Sequence, residues 1–418
     1  MSVTAATRTL CILNFGCKVN QAENVWFEEE ARKRGARVTT DSGAATDILI
    51  NTCAVTARAE SQVRQLVRRV GREHPTARVF LTGCYVDRDE ARLGSLPGVT
   101  EVFRNADKER IVSAVLPWHP IAPAAFVSTR TRPLMKIQDG CNLHCAFCII
   151  PDLRGRTIRS MPPDEVLRRV TAYRAAGYPE VIMTGVLLGA YGTDLTPRID
   201  LADLLTHLEP HAPKLRISSI EPWRLSDRII TCLGSADFIQ PHFHIPIQSG
   251  SASVLQRMNR RLDLGRLDGL LRKLRSMTPD ASVGSDVIVG FPGETEAEFE
   301  ETMEVVKRLE FSYLHVFPYS PRPGTPAAGD ANQVRREVIR RRAALLREIS
   351  TTENLAFRRR FEGRALDGVV LGKGDDEGAQ AITGNYIKVT LDTHQPTGSA
   401  RILITRAATD ATYGRIVT

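Results

Sequence analysis

Between residues 133 and 320 the chain alternates short apolar runs with amphipathic helical patterns, and this alternation limits its fold more than any other feature. Apolar runs that are separated by helices are typical of parallel strands joined by crossover connections. Six such units predict an incomplete (β/α)6 barrel, in which the loops after the strands converge on one face. The predicted strands are residues 134–138, 180–184, 215–219, 243–247, 283–289 and 313–319.

Residues 8–116 show the same alternation on a smaller scale and predict an open parallel α/β domain of the flavodoxin-like type. Asn20 and Glu23 resemble a capping box at the start of a helix that ends near Gly35. The apolar runs of this domain are residues 10–15, 48–51 and 79–82.

Residues 361–418 differ in composition, because glycine is frequent and the apolar runs are short and β-rich. This pattern predicts a small antiparallel β-barrel. Pro117, Pro120 and Pro123 predict a linker after the first domain. The predicted domains are residues 1–117, 127–356 and 357–418.

The formal net charge of +8 favours an anionic partner, although many basic proteins bind no nucleic acid. Residues 333–360 predict a very basic helix, which either contacts phosphates or is a solvated helix face. Its arginines are Arg335, Arg336, Arg340, Arg341, Arg342, Arg347, Arg358, Arg359 and Arg360.

Composition also excludes several classes of protein. No stretch approaches the roughly 20 apolar residues of a membrane span, and no signal-peptide pattern is visible at the N-terminus. We therefore expect a cytoplasmic protein with no membrane partner. In a reducing compartment the eight cysteines favour metal binding or chemistry over a disulfide framework.

Three of these cysteines form the strongest local motif, with Cys141, Cys145 and Cys148 spaced C-x3-C-x2-C directly after the first predicted barrel strand. Three thiolates on one short loop can ligate three irons of a cubane cluster. No fourth cysteine lies nearby in the sequence, so one iron would keep an open position, as catalytic metals do. The motif predicts a catalytic iron–sulfur cluster on the ligand-binding face of the barrel.

Cys17, Cys53 and Cys84 each follow an apolar run of the N-terminal domain. Because the carboxyl ends of parallel strands meet at one edge of a sheet, these thiols are predicted to converge where ligands bind. They could hold a second cluster with an open iron, and the alternative is that they are buried core thiols. Cys11 and Cys232 match no cluster position and are interpreted as core thiols.

The loop Cys141-Asn-Leu-His-Cys145-Ala-Phe-Cys148 resembles the cluster loop of the radical S-adenosylmethionine superfamily. With the three dispersed cysteines before it and a β-rich module after it, nearly the whole chain resembles the methylthiotransferase family. In that family the C-terminal module is a TRAM domain. The runs Gly-Cys-Lys-Val-Asn-Gln and Asn-Thr-Cys-Ala-Val-Thr most resemble the branch that acts on threonylcarbamoyladenosine in tRNA. The isopentenyladenosine branch usually has Gln-Met where Lys18 and Val19 stand.

The resemblance implies two 4Fe–4S clusters and S-adenosylmethionine as cofactors. One cluster would be held by the cysteine loop, and the dispersed cysteines would hold the second. The implied substrate partner is tRNA, and the implied electron donor is a flavodoxin or ferredoxin. The implied cluster ligands are Cys17, Cys53, Cys84, Cys141, Cys145 and Cys148.

The resemblance also assigns residues to the cofactor pocket. Gly185 would contact the methionine end, Glu221 and Gln248 would hydrogen-bond the ribose or the methionine, and Gly290 would lie near the adenine. The alternative is that Glu221 and Gln248 are turn residues that fix the barrel. In the TRAM-like module, Tyr386 is expected to stack on a base, and Lys388 or Arg406 to contact phosphate.

The function that follows is transfer of a methylthio group to C2 of N6-threonylcarbamoyladenosine, adjacent to the anticodon. Two alternatives stay open: the same chemistry on isopentenyladenosine or on an aspartate of a ribosomal protein, and a redox-sensing iron–sulfur protein that binds nucleic acid. Three histidines on predicted strands, His242, His244 and His315, are expected to line the barrel or lie in its core rather than bind metal.

Overall fold

The structure, a computed structural model, describes residues 8–115, 128–373, 379–393 and 396–417. The predicted linker prolines Pro117, Pro120 and Pro123 lie outside these described residues. Within them the chain folds into a parallel α/β sheet, a partial (β/α) barrel and a closed β-barrel, in that order.

The N-terminal sheet has five parallel strands in the order β2-β1-β3-β4-β5, which is the flavodoxin-like order. Its central strand β3 is buried along its whole length, as expected for a parallel strand covered on both faces. The strands are β1 Thr9–Asn14, β2 Arg37–Thr39, β3 Asp47–Thr52, β4 Arg78–Gly83 and β5 Val99–Phe103. The helices are α1 Lys18–Lys33, α2 Ala57–Glu73, α3 Cys84–Arg88, α4 Glu90–Gly94 and α5 Lys108–Val115.

The capping box predicted at Asn20 and Glu23 is wrong. Helix α1 begins at Lys18, and its N-cap residue is Cys17, which makes no side-chain capping bond. Asn20 and Glu23 are both buried, and the Asn20 amide donates to the Thr52 carbonyl at 2.9 Å. Their polar groups bind partners outside the helix, so they are not free to cap it.

Six parallel strands form the predicted partial barrel, in two sheets joined by a bridge between Leu215 and Ile239. A two-residue strand, β7, pairs antiparallel at the edge of β6. Ala22 of α1 packs on Leu134 and Ile182, which joins the N-terminal domain to the barrel. The strands are β6 Leu134–Asp139, β7 Arg159–Ser160, β8 Glu180–Gly185, β9 Lys214–Ile217, β10 His242–His244, β11 Ser282–Val289 and β12 Tyr313–Pro318.

Most helices of the barrel domain bury aliphatic faces in one large core that contains β8, β9 and β11 side chains, whereas the short helices over residues 150–154 and 252–257 pack in smaller clusters. The helices are α6 Ile150–Arg154, α7 Pro163–Ala175, α8 Leu201–Leu208, α9 Asp227–Ser235, α10 Ala252–Arg257, α11 Leu264–Met277, α12 Glu296–Arg308 and α13 Arg336–Arg359.

The C-terminal module is a closed barrel in the order β13-β14-β15-β17-β16. Four of its strand pairs are antiparallel as predicted, but β15 and β17 pair in parallel. Arg216 of the barrel donates to the Gly384 carbonyl at 2.9 Å, so the module packs on the barrel. Its strands are β13 Ala365–Lys373, β14 Ala379–Thr383, β15 Lys388–Leu391, β16 Gly398–Ala407 and β17 Thr412–Val417.

The basic helix α13 has two kinds of arginine. Arg342 is buried and pairs with Glu294 at 2.5 Å, and Arg358 is buried and donates to Thr412 at 2.8 Å. Arg342 therefore joins α13 to the barrel, and Arg358 joins it to the C-terminal module, whereas Arg347 is exposed. No helix in the described parts of the chain, α13 included, is long and apolar enough to cross a membrane.

Candidate active site

The three dispersed cysteines meet at the carboxyl edge of the N-terminal sheet. Cys17 precedes α1, Cys53 follows β3, and Cys84 opens α3 directly after β4. Burial, with smaller contributions from the nearby Cys84 and Cys17 thiols, raises the pKa of the Cys53 thiol to about 11. The structure thus brings together the residues that the sequence predicted to converge.

The other three cysteines lie on one loop after β6. Gly140 enters the loop with a φ of 75°, and a Cβ there would lie 1.9 Å from the Thr157 carbonyl oxygen, so only glycine fits. The loop closes through a bond from the Cys148 N–H to the Cys145 carbonyl at 3.1 Å. Burial, with smaller contributions from Cys145 and Cys141, raises the pKa of Cys148 to about 12.

The donor chemistry of both cysteine sites fits an iron–sulfur cluster better than a single metal ion. Among the described residues, the set with three possible ligand atoms within 4.8 Å of one another is His244, Asp286 and His315, and no cysteine belongs to it. A tetrahedral zinc site needs closely spaced sulfurs, whereas a cubane binds each thiolate to a different iron. Because burial raises the pKa of several of these thiols, metal binding has to displace their protons.

A buried arginine from the barrel reaches the N-terminal cysteine site. Arg154 donates from Nε to the Cys84 sulfur at 3.3 Å, from Nη2 to Asn20 at 2.6 Å and from Nη1 to Glu23 at 2.9 Å. Burial opposes ionisation of Glu23, but the charges of Arg154, Lys108 and Lys136 outweigh it and hold its pKa well below its usual range. This network joins the two domains beside Cys84.

A second arginine lies beside the cysteine loop. Arg260 Nη1 is 3.7 Å from the Cys145 sulfur, Nη2 donates to the Pro246 carbonyl at 3.3 Å, and the guanidinium lies over the Trp223 ring at 4.5 Å. The sequence did not indicate that Glu23 is a buried anion, or that Arg154 and Arg260 lie beside cysteines. The Arg-Gly-Arg run directly after the cysteine loop was the available signal for Arg154.

Glu221 and Gly185 lie near the cysteine loop. Glu221 is buried, accepts a bond from the Gly189 N–H at 3.2 Å and contributes to the electrostatic field at Cys141. Burial raises the pKa of Glu221 to about 7. Gly185 leaves no room for a side chain, because a Cβ there would be 2.8 Å from the Gln138 amide oxygen.

Gln248 and Gly290 occupy different surroundings. Gln248 has a φ of 70°, a conformation that favours glycine, and borders a cavity together with Cys148. Gly290 lies against Ile339 of α13, and its N–H donates to Glu294 at 3.0 Å. The structure therefore places Gln248, but not Gly290, among the residues that line this cavity.

This cavity, of about 210 Å³, lies between the two cysteine sites. Val55 and Thr56 from the Cys53 loop form one wall, and Cys148 with Gln248 forms another. The Tyr319 hydroxyl, on a residue that lines the cavity, is buried and has no hydrogen-bond partner among the described residues. An unpaired buried hydroxyl is costly, so this wall is suited to a polar ligand.

Beyond Asp286, which borders this cavity, the barrel strands carry a polar network. Asp286 Oδ1 is 2.8 Å from His244 Nε2 and 3.2 Å from His315 Nδ1. The Tyr313 hydroxyl is 2.8 Å from His242 and 3.1 Å from His244. The three histidines thus lie on barrel strands with polar partners, and the expectation that they bind no metal stays a prediction.

The remaining predicted residues are placed as follows. Cys11 is fully buried in the N-terminal core, and Cys232 packs partly buried against the barrel core. Lys388 and Arg406 are exposed. The Tyr386 ring stacks on the His242 ring with 4.0 Å between their centres, so it contacts the (β/α) barrel of this chain.

A partial (β/α) barrel with a three-cysteine loop after its first strand is the fold of radical S-adenosylmethionine enzymes. Residues 135–306 match the Radical SAM superfamily, and residues 9–103 match a family described as Uncharacterized protein family UPF0004. The structure is similar to the radical S-adenosylmethionine methyltransferase TsrM from Kitasatospora setae, with a TM-score of 0.57 and 13% sequence identity over 77% of each chain. At this identity the likeness supports the fold alone.

Curated relatives match over most of the chain. The threonylcarbamoyladenosine tRNA methylthiotransferase MtaB of Bacillus subtilis is 36% identical, covering 91% of this chain and 90% of that protein. The enzyme of the same name from Thermotoga maritima is 36% identical, over 85% of each. A tRNA-2-methylthio-N(6)-dimethylallyladenosine synthase of Chloroflexus aurantiacus is 32% identical, over 92% of this chain and 86% of that one. The chain belongs to the threonylcarbamoyladenosine tRNA methylthiotransferase family, which confirms the predicted resemblance.

Proposed function

We propose that this enzyme transfers a methylthio group to C2 of N6-threonylcarbamoyladenosine in tRNA, using a radical generated from S-adenosylmethionine. The observation that carries the proposal is the cavity of about 210 Å³ with Val55 and Thr56 on one side and Cys148 on the other. A base in this cavity would be adjacent to both cysteine sites. The radical generated at the Cys141–Cys148 loop would activate C2, and the site of Cys17, Cys53 and Cys84 would provide the sulfur.

Six cysteines are the proposed ligands of two 4Fe–4S clusters. Cys141, Cys145 and Cys148 would hold the first, and the dispersed set would hold the second; each leaves one iron without a protein ligand. When bound, the first cluster would supply the electron that cleaves S-adenosylmethionine, the second would supply a site for the sulfur, and a second S-adenosylmethionine would supply the methyl group. The electron would come from a flavodoxin or ferredoxin. The dispersed set is Cys17, Cys53 and Cys84.

The protein's own residues would orient the reactants and exclude water. Glu221, which is buried and held by the Gly189 N–H, is proposed to hydrogen-bond the cofactor beside Cys141. Gln248 and the unpaired Tyr319 hydroxyl would hydrogen-bond a ligand from the cavity wall. Gly185 is proposed to let the cofactor approach the backbone closely, whereas Gly290 packs on Ile339 and lies outside this cavity. A closed site protects a reactive radical from solvent.

The three predicted domains, residues 1–117, 127–356 and 357–418, would divide these tasks. The first would hold the sulfur-supplying cluster, the second would generate the radical, and the third would contact RNA with the exposed Lys388 and Arg406. Charge on α13 would add to RNA binding, because a basic helix face attracts phosphate.

The test is to reconstitute the full chain without oxygen, and then to add reductant, S-adenosylmethionine and tRNA bearing threonylcarbamoyladenosine. We expect the digested nucleosides to show the mass gain of a methylthio group. The same reaction with tRNA bearing isopentenyladenosine is the matched control. A methylthio product on the control tRNA alone would mean that isopentenyladenosine is the substrate. Absence of 5′-deoxyadenosine with both tRNAs would favour the alternative of a redox-sensing iron–sulfur protein.

A further inference from the structure

Lys18 extends from the N-terminal cysteine site towards the barrel interior. It follows Cys17 directly, and its ammonium lies 5.9 Å from the centre of the Tyr386 ring. Arg132, Arg216 and Asp286 also lie within electrostatic range of Lys18. One lysine therefore meets groups from all three parts of the fold.

The Lys18 ammonium has no carboxylate within salt-bridge distance among the described residues. Asp286, the nearest candidate by charge, already hydrogen-bonds His244 and His315. A half-buried ammonium without an anionic partner is unusual, because burial of a charge is costly unless it is paired. The Lys18 ammonium is therefore available to bind an anion from outside the chain.

The charges around Lys18 favour such an anion. Three cationic side chains, Lys18, Arg132 and Arg216, lie near two carboxylates, Glu180 and Asp286, so one positive charge is in excess. Both arginines are held by Glu180, at 3.0 Å and 2.8 Å, and are committed to it. Two arginines on one carboxylate leave a positive charge, and this charge adds to the field of Lys18.

Two neighbours of Lys18, Asp286 and Tyr386, each border a cavity. Asp286 borders the cavity of about 210 Å³ between the cysteine sites, and Tyr386 borders a second cavity of about 430 Å³ between α13, β12 and the C-terminal barrel. A base held in the first cavity would lie beside Asp286. A flexible substituent on that base would extend past Asp286 towards the Lys18 ammonium.

We propose that Lys18 binds the carboxylate of the threonylcarbamoyl group and so selects this nucleoside over bases with an uncharged substituent. The inference rests on the proposed function and deepens it, since it names the group that recognises the substrate. A carboxylate–ammonium bond at a half-buried site is charge-assisted and stronger than a neutral hydrogen bond.

The test compares two anticodon stem-loop RNAs that differ in one group: threonylcarbamoyladenosine with its free carboxylate, and the same nucleoside with a carboxamide. With the reconstituted full chain we expect kcat/KM to be about 10- to 100-fold higher for the acid. Lys18→Gln should lower kcat/KM for the acid by that factor and bring the acid-to-amide ratio close to one. Lys18→Arg should keep a ratio well above one.

Lys33→Gln, at the other end of α1, is the control and should keep the wild-type ratio. If Lys18→Gln loads less iron, the acid-to-amide ratio can be measured without clusters. Fluorescence anisotropy then gives the ratio of the two RNA affinities for the unreconstituted full chain. A wild-type ratio near one, or an unchanged ratio in Lys18→Gln, would overturn the assignment. Absence of product from the wild-type enzyme with the acid would instead refute the proposed function.

Discussion

The two cysteine sites use the same ligand type, but the chain assembles them in different ways. The barrel site takes its three thiols from eight consecutive residues after one strand. The N-terminal site takes them from three loops separated by 36 and 31 residues. Its thiols meet only when β1, β3 and β4 pair in the observed order. The first site is a property of local backbone geometry, and the second is a property of the folded domain.

Their arginine neighbours show a second difference. Arg260, beside Cys145, belongs to the same barrel as the loop, whereas Arg154, beside Cys84, comes from the other domain. Docking of the barrel therefore completes the surroundings of the N-terminal site. A change at the domain boundary should affect that site first.

The largest effect should come from removing one thiol from each site. Cys141→Ala should abolish both 5′-deoxyadenosine and the methylthio product, because the radical source is lost. Cys53→Ala should abolish the product but leave 5′-deoxyadenosine formation, since the barrel loop is intact. Each variant should lose about half of the bound iron. Cys232→Ala, which lies in neither site, should keep both activities; equal behaviour of the two ligand variants would contradict separate roles.

The next effect should separate the two arginines. Arg154→Met removes one member of a buried ion network and leaves Glu23 with two lysines, so we expect a loss of about 3–5 kcal/mol in the free energy of unfolding. Iron should be lost from the N-terminal site. Urea unfolding and iron analysis measure both quantities.

Arg260→Met is the matched comparison. Its contacts are a carbonyl, a thiol and an aromatic ring, so the expected loss is about 1–2 kcal/mol, without selective loss of iron from the N-terminal site. If Arg154→Met were no more destabilising than Arg260→Met, the domain-joining role of Arg154 would be wrong.

The same contrast explains what the sequence could reveal. Parallel strands were predictable because each is an apolar run between helices, and the ends of β6, β8 and β11 fell within a residue of their predictions. The convergence of Cys17, Cys53 and Cys84 followed from strand polarity. Strands β2 and β5 were missed, since β2 has only three residues and β5 has two exposed polar residues, Thr100 and Glu101, within its short run.

Contacts that depend on tertiary packing were not predictable. Asn20 and Glu23 have the spacing of a capping box, but Arg154, over 130 residues later, binds both. Tyr386 was expected to stack on RNA and instead stacks on His242. In each case a local pattern was overruled by a partner whose position only the fold determines.

A third, smaller effect concerns the contact between the barrel and the C-terminal module, where His242 is fully buried and stacks on Tyr386. Burial, with the charges of Arg216 and Lys18, holds its pKa well below 6.5. The unfolded chain then binds more protons below pH 6.5, so stability should fall as pH drops from 7 to 5, by at most about 1.4 kcal/mol per pH unit. His242→Gln should flatten this pH dependence of the free energy of unfolding, measured with urea, whereas His211→Gln at an exposed position should not. An equal pH dependence in His242→Gln and wild type would mean that another group causes it.

The smallest effect should come from removing one exposed charge of α13, which lies outside both cysteine sites. Arg347 is exposed on α13 and has no ion-pair partner among the described residues, so Arg347→Gln removes a charge without disturbing packing. If α13 contacts phosphate, the slope of log K against log salt for tRNA should decrease by about 1. Lys307→Gln, an exposed charge on α12, should leave the slope unchanged. Equal slopes in Arg347→Gln and wild type would mean that this part of the helix is only a solvated face.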